Sequence, residues 1–300
     1  VTRLLLTVGE ALAVFLAETA PLASANRFER IVSGAEVNVA VGFVRAGHRS
    51  KLVTRVGSDA LGDAVARQLT AWRVDLHASR DPDRPTGVLI RTTGGATRGE
   101  AMHLRHGAAA ETLQPTDVDA VWSDEVDVVF VSGVTAVRSA SAAAAVRRTV
   151  ELARSTGALV VVDPNLRPAL APAEAFAREL APLRGQIDIA IGDATELALL
   201  AGTSEQRAVA TLLEQGARLV VEKGGADGAI AYDGRQRLTE PAHRAGSDVV
   251  DSVGAGDAFA AALIAAVLED APLRHVLNRA AAAAARVVTI RGDLPAETPS

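Results

Sequence analysis

Apolar residues along this chain fall into two rhythms. Short runs dominated by Val, Ile and Leu, without regular apolar–polar alternation, occur at 4–8, 51–56, 126–131, 158–162, 187–191 and 219–221. Such runs predict strands covered on both faces, as in a parallel sheet. Ala-rich stretches with helical spacing lie between them at 37–46, 61–71, 139–154, 196–200, 206–215, 255–268 and 273–288. The alternation of the two predicts βαβ units and an α/β fold with a mostly parallel central sheet. One segment departs from this rhythm: an extended run over 86–92, the pair Gly94 and Gly95, then a second extended run ending at Arg105. That is a hairpin signal. With 10–16 and 28–32 it predicts a small antiparallel sheet, drawn from about 10–33 and 86–105, set apart from the main layer as a lid. No Pro-, Gly- or Ser-rich linker divides the chain, so one domain over 1–300 is expected.

Composition narrows the chemistry. A chain of 300 residues can bury roughly three-quarters of its unfolded surface. Its 31 Lys and Arg against 36 Asp and Glu, a net charge of −5, argue against a general nucleic-acid face or a polybasic membrane anchor, while a local anion site stays open. The absence of cysteine removes disulfides, thiolate zinc sites, iron–sulfur clusters and thiol nucleophiles together. None of the 6 histidines has the spacing of a zinc-binding helix, so no histidine metal centre is expected. Arg3, the apolar run over 4–17 and Ala23-Ser24-Ala25 imitate a secretory signal, but Glu10 interrupts the run, and 4–8 followed by Gly9 reads better as a buried strand and its turn. The longest other apolar run, 258–268, is well short of the ~20 residues that span a bilayer, and the expected location is the cytoplasm.

The most informative string is Asp251-Ser252-Val253-Gly254-Ala255-Gly256-Asp257, at the start of a helical stretch. Gly254 and Gly256 leave amide N–H groups unobstructed in front of a helix dipole, which makes an anion cradle. Asp257 directly after it makes sense where a hydroxyl must lose its proton while attacking a phosphoryl group held in the cradle. The plainer alternative is a glycine turn capped by Asp251 or Ser252, with Asp257 as a solvated first-turn acid. A dinucleotide-binding oxidoreductase would need a Gly-x-Gly-x-x-Gly opening after the first strand, which Gly9-Glu10-Ala11 does not supply.

This string resembles the C-terminal signature of the PfkB, or ribokinase-like, carbohydrate kinases. Further matches follow that family's order: Gly34-Ala35-Glu36-Val37-Asn38 with Gly47 and Gly57, Asp163-Pro164-Asn165-Leu166-Arg167, Asp193-Ala194-Thr195-Glu196, Lys223-Gly224-Gly225 with Gly228, and Asn278 in the last helix. The resemblance implies a three-layer α/β/α fold with a β lid, and ATP-dependent phosphorylation of a sugar hydroxyl with Mg²⁺. It implies Asp257 as the catalytic base, with the amides of Gly254, Ala255 and Gly256 stabilising the transferring group. Asn165, Asp193, Lys223, Gly225, Gly228 and Asn278 would bind nucleotide, and Glu196 would hold Mg²⁺ through water. The loop at Asp251 would accept a monovalent cation such as K⁺.

For the acceptor, Gly34, Asn38, Leu89, His103, Arg105 and Arg167 are the expected contacts. The Gly34–Asn38 string, the stretch Arg105-His106-Gly107-Ala108-Ala109 and Arg167 resemble the branch that phosphorylates 2-keto-3-deoxygluconate, and a guanidinium suits a sugar carboxylate. Arg105 alternatively reads as a solvated hairpin residue, and Arg167 as a structural ion pair or a phosphate contact. Leu89 and His103 stand where close members of that branch place tyrosines, and Val14 stands where ribose and fructose kinases carry a hydroxyl-gripping Asp. A neutral-sugar kinase and a non-catalytic sugar sensor are the alternatives. An edge-exposed lid sheet further implies a homo-oligomer.

Overall fold

The apolar runs become the interior strands of one layer. The computed structural model describes residues 1–95, 99–243 and 249–294. Among these the strands are, in chain order, β1 (Leu4–Val8), β2 (Leu12–Ala17), β3 (Phe28–Ser33), β4 (Arg49–Gly57), β5 (Asp75–Asp81), β6 (Val88–Arg91) and β7 (Ala101–Leu104). They continue with β8 (Val128–Ser132), β9 (Leu159–Asp163), β10 (Ile189–Gly192), β11 (Leu219–Lys223), β12 (Ala229–Tyr232) and β13 (Arg237–Glu240). Nine of them form the main sheet in the order β13-β12-β11-β10-β9-β8-β1-β4-β5. It is parallel from β11 to β5, and the β12–β13 hairpin extends it antiparallel at one edge.

Both faces of this sheet are covered, as unbroken apolar strands require. Leu5, Val128, Phe130 and Val161 pack toward helices Ala255–Leu268 and Leu273–Val287, while Leu6, Val129, Val131 and Val160 pack toward helix Ala140–Thr156. The result is the expected three-layer α/β/α sandwich. Strand order reverses beside β1, which pairs with both β8 and β4. Open α/β sheets place ligands outside the carboxyl ends of the strands at such a reversal.

The second sheet, β3-β2-β6-β7, draws on the segments expected for the lid but is mixed rather than antiparallel. β2 pairs antiparallel with β3 and parallel with β6, and β6 pairs antiparallel with β7. The parallel pair arises because the chain leaves the lid after β3, passes through β4 and β5 of the main sheet, and returns in the direction of β2. Gly94 and Gly95 do not form the tight turn of a hairpin: the β6–β7 connection runs on to residue 100, and Gly95 bridges to Asp251, its amide donating to the Val250 carbonyl at 3.2 Å. Val249 and Val250 belong to neither sheet; the Val250 amide donates to the Val288 carbonyl at 2.8 Å. No helix among the described residues is long and apolar enough to cross a membrane.

Candidate active site

Helix Ala255–Leu268 begins at Gly254, whose φ of 84° lies in the left-handed region. A Cβ at this position would meet the Asp293 carbonyl at 2.7 Å, so both backbone and space demand glycine. No side chain caps the helix start, leaving its first amides without a side-chain acceptor and pointed at whatever anion sits in front. Asp257 lies one residue beyond Gly256, buried, and its Oδ2 accepts from Asn38 Nδ2 at 2.8 Å. Burial pushes the Asp257 carboxyl up to about 7, against the pull of the Asn38 hydrogen bond and the Arg167 charge; Asp163 and Asp293 reinforce the rise. A carboxyl at this value is matched to proton abstraction near neutral pH.

A cavity of about 760 Å³ opens between this helix start, the carboxyl ends of β9 to β11 and the underside of the lid. Lys223, at the end of β11, donates to Asp163 Oδ2 at 2.7 Å and lies 3.8 Å from Glu196 Oε2. Burial pulls the Lys223 ammonium down, but the Asp163 and Glu196 carboxylates outweigh it and hold the group above its usual range, so it stays charged. Its Nζ would be 3.8 Å from a Cβ on Gly256, which puts a cation beside the amide cradle. Asp193 and Glu196 cap helix Ala194–Ala201 reciprocally, each side chain accepting the other's backbone N–H at 2.8 Å. Glu196 also accepts from the Leu166 amide at 2.7 Å, which joins this helix to the loop after β9. In that loop Asn165 holds φ at 47°, a left-handed conformation that asparagine adopts more readily than most side-chain-bearing residues, and lines the cavity.

The lid contributes a row of directly paired residues. Val14 of β2 faces Leu89 of β6, and Leu89 faces His103 of β7, so all three share the lid face that carries the cavity-lining Leu89 and His103. Partial burial, with Arg105 and Arg138 nearby, holds the His103 imidazole below its usual range, so it is neutral at pH 7 and able to donate or accept one hydrogen bond. Arg167 also lines the cavity, its Nη1 donating to the Leu166 carbonyl at 3.0 Å.

Arg105 departs from its expected role. It is buried, and its guanidinium is committed to Glu10, with Nε donating to Glu10 Oε2 at 2.9 Å and Nη2 pairing with the same oxygen. Arg138 lies 3.3 Å from that oxygen and 2.8 Å from Glu111, completing a buried network at the base of the lid. Glu10, the residue that interrupts the N-terminal apolar run, needs this partner, and the partner is thereby withdrawn from the substrate side. Gly34 meets a steric demand: a Cβ there would sit 2.3 Å from the Glu10 carbonyl, so glycine lets the chain ahead of β2 and the start of helix Ala35–Arg45 approach closely.

A second chamber of about 690 Å³ adjoins the first through Lys223, Gly225, Ser252 and Gly256. Phe259, Ala281, Ala284 and Val288 give it an apolar wall, and Gly228 and His243 stand at its rim. Gly228 has φ 96° and no room for a side chain, since a Cβ would meet the Glu240 carbonyl at 2.1 Å. Asn278 lines neither chamber; it donates to Glu240 at 2.9 Å and meets His243 at 3.2 Å. Asp251 is wholly buried and lines neither chamber; it is ion-paired to Arg91 at 2.7 Å.

An acid beside an open helix start, a lysine at the same spot and two joined chambers form a site for group transfer between two ligands. The model of the pfkB family carbohydrate kinases matches residues 2–299. The chain belongs to the PfkB family of carbohydrate kinases. It is 34% identical over 298 residues to a 2-dehydro-3-deoxygluconokinase of Thermoproteus tenax, covering 96% of this chain and 89% of that one. A 2-dehydro-3-deoxygluconokinase of Bacillus subtilis (strain 168) is 30% identical over 294 residues, covering 96% and 90%. Among solved structures, an E. coli Ribokinase II candidate in complex with ATP and Mg²⁺ superposes with a TM-score of 0.88 at 26% identity, covering 98% of this chain and 94% of that one.

Several residues of the kinase site escaped sequence reasoning. Arg91 and Asp293 gave no signal, because their partners lie 160 and 202 positions away. Asp163 was visible inside its string, yet its pairing with Lys223 was not. Glu36 was likewise visible inside its string, yet its surroundings were not: it is buried, accepts from Thr135 Oγ1 at 2.6 Å, and burial pushes it up to about 8, so it is neutral at pH 7.

Proposed function

We propose that this kinase transfers the γ-phosphoryl group of ATP to a hydroxyl of a sugar acid of the 2-keto-3-deoxygluconate kind. The observation that carries the transfer is Asp257: a carboxyl near 7, fixed by Asn38, at the mouth of an uncapped helix start. The acceptor hydroxyl would lie under the lid, against His103 and Leu89, and lose its proton to Asp257 as its oxygen attacks the γ-phosphorus. The β–γ bridging oxygen leaves with the electron pair. The amides of Gly254, Ala255 and Gly256 and the Lys223 ammonium face the charge that spreads over the phosphoryl oxygens. The apolar wall of the second chamber suits an adenine ring, with Gly225 and Gly228 allowing close approach of the nucleotide.

Mg²⁺ bound with nucleotide phosphates takes one or two carboxylates and keeps several waters. Among the described residues no cluster of three or more ligands forms a protein-only cage, while Asp193 and Glu196 border the cavity, so the residues fit a phosphate-borne ion. Bound there, it would neutralise charge on the leaving phosphates.

The acid class of the acceptor rests on Arg167 and on the names carried by the two 2-dehydro-3-deoxygluconokinases. Arg105 is paired with Glu10, and of the two arginines that line the cavity Arg91 is paired with Asp251 and Asp293, while Arg167 lies close enough to Asp257 to lower its pKa. ADP release measured over a panel of 2-keto-3-deoxygluconate, other aldonic and keto-deoxy acids, fructose and ribose tests the assignment. Turnover should be confined to the acids. Arg167→Met should raise the KM for the acid about tenfold or more, the worth of a charged hydrogen bond, and leave the KM for ATP unchanged. Efficient fructose turnover without acid turnover would reverse the assignment. We also infer that the lid sheet is where a second copy of the chain associates.

A further inference from the structure

The loop at Asp251 was expected to hold K⁺, and its residues do not fit that ion. A K⁺ ion is bound by oxygens that replace its hydration shell. Among the described residues, donors meet the Asp251 carboxylate instead. Arg91 Nη1 donates to Asp251 Oδ2 at 2.7 Å, the Gly292 amide donates to the same oxygen at 3.3 Å, and the Val253 amide donates to Oδ1 at 3.2 Å. Arg91 Nη2 pairs with Asp293 Oδ1, and the other oxygen of Asp293 accepts from the Ser33 hydroxyl. Arg91, Asp251 and Asp293 are all buried, with side-chain exposures of 4%, 0% and 3%.

Two buried carboxylates without a cation would be costly, and one guanidinium fork satisfies both. The three residues come from three places: Arg91 ends lid strand β6, Asp251 opens the catalytic loop, and Asp293 backs Gly254, where a Cβ would meet its carbonyl. We infer that Arg91 is a built-in cation that takes the place of a monovalent ion, so that phosphoryl transfer by this chain needs no K⁺. Because the charge is carried on the lid, Arg91 is also a positioning residue: it pins the end of β6 to the loop that holds the amide cradle. Its role in turnover rests on the kinase reading above, while the replacement of the ion does not.

The test compares wild type, Arg91→Met and Arg91→Lys at constant ionic strength, exchanging tetramethylammonium chloride for KCl. Melting temperature and kcat are the two readouts. Wild type should show the same melting temperature in both salts, and a kcat unchanged within about twofold. Arg91→Met should melt lower, lose tenfold or more in kcat with a smaller change in KM, and regain part of both losses in KCl. Arg91→Lys, with one cation but no fork, should fall between the two and respond weakly to KCl.

A several-fold rise of wild-type kcat with K⁺, or a higher wild-type melting temperature in KCl, would overturn the inference. So would a folded Arg91→Met with full turnover and no response to either salt. Should Arg91→Met not fold, the wild-type comparison and Arg91→Lys still decide. Should no sugar be phosphorylated by wild type, the functional reading fails, and the melting temperatures answer the ion question alone.

Discussion

At the scale of single residues, the decisive contest is between burial and hydrogen bonding at Asp257. Burial favours the neutral acid, Asn38 and Arg167 favour the carboxylate, and the balance falls at about 7. The base is therefore half occupied by a proton at pH 7 and freed as pH rises. kcat/KM should climb about tenfold per unit below that value and level off above it. Asn38→Ala removes a hydrogen bond that favours the charged form, so its limb should move to higher pH, whereas a role for Asn38 in sugar contact alone would leave the limb in place. Asp257→Asn should lose about 10²–10⁴ in kcat, keep nucleotide binding and show no limb. Rates near wild type in that variant would remove Asp257 as the base. The same weighing applies to Arg105: a guanidinium beside a buried glutamate is bound before any substrate arrives, and nothing in the local sequence of either residue announces the other.

At the scale of elements, what could be read in advance follows burial. Interior strands β1, β8, β9, β10 and β11 are apolar on both faces and stand out as runs. β5 and β13 lie at the two edges of the sheet, where half-exposed positions accept Asp, Arg, Ser and Thr, and neither produces a signal. The cradle was legible because its parts are consecutive, from Asp251 to Asp257; the Asp163–Lys223 and Arg91–Asp251 pairs were not, since only the folded sheet brings them together. The start of helix Ala255–Leu268 also sets a local limit on change. Gly254→Ala would have to adopt φ 84° with its Cβ 2.7 Å from the Asp293 carbonyl. A side chain forced into such a conformation costs ~1–3 kcal/mol. The loop should therefore shift, lowering the melting temperature by several degrees and kcat by more than tenfold. A variant that lost stability but kept full kcat would show that the cradle amides do not face the transferring group.

At the scale of the molecule, the lid is the part whose surface is unfinished. Its inner face, with Leu89 and His103, borders the cavity. On the opposite face Phe28, Met102 and Leu104 are 41%, 48% and 53% exposed. The edge strands are unequal: β3 carries Glu29 and Arg30, charges that discourage pairing, while β7 reads Ala101-Met102-His103-Leu104 and carries none. An uncharged edge beside an exposed apolar face suits a second copy of the same sheet, since a two-fold contact matches each patch with itself. Such a contact would cover Met102 and Leu104 and brace the lid over the first cavity. Light scattering on the purified protein should give about twice the 30.9 kDa of one chain. The Met102→Lys, Leu104→Lys double variant should return it to one chain and raise the KM for sugar more than that for ATP, because only the sugar lies under the lid. A wild-type mass of one chain at micromolar concentrations, or a double variant that stays dimeric, would place any self-association elsewhere on the molecule.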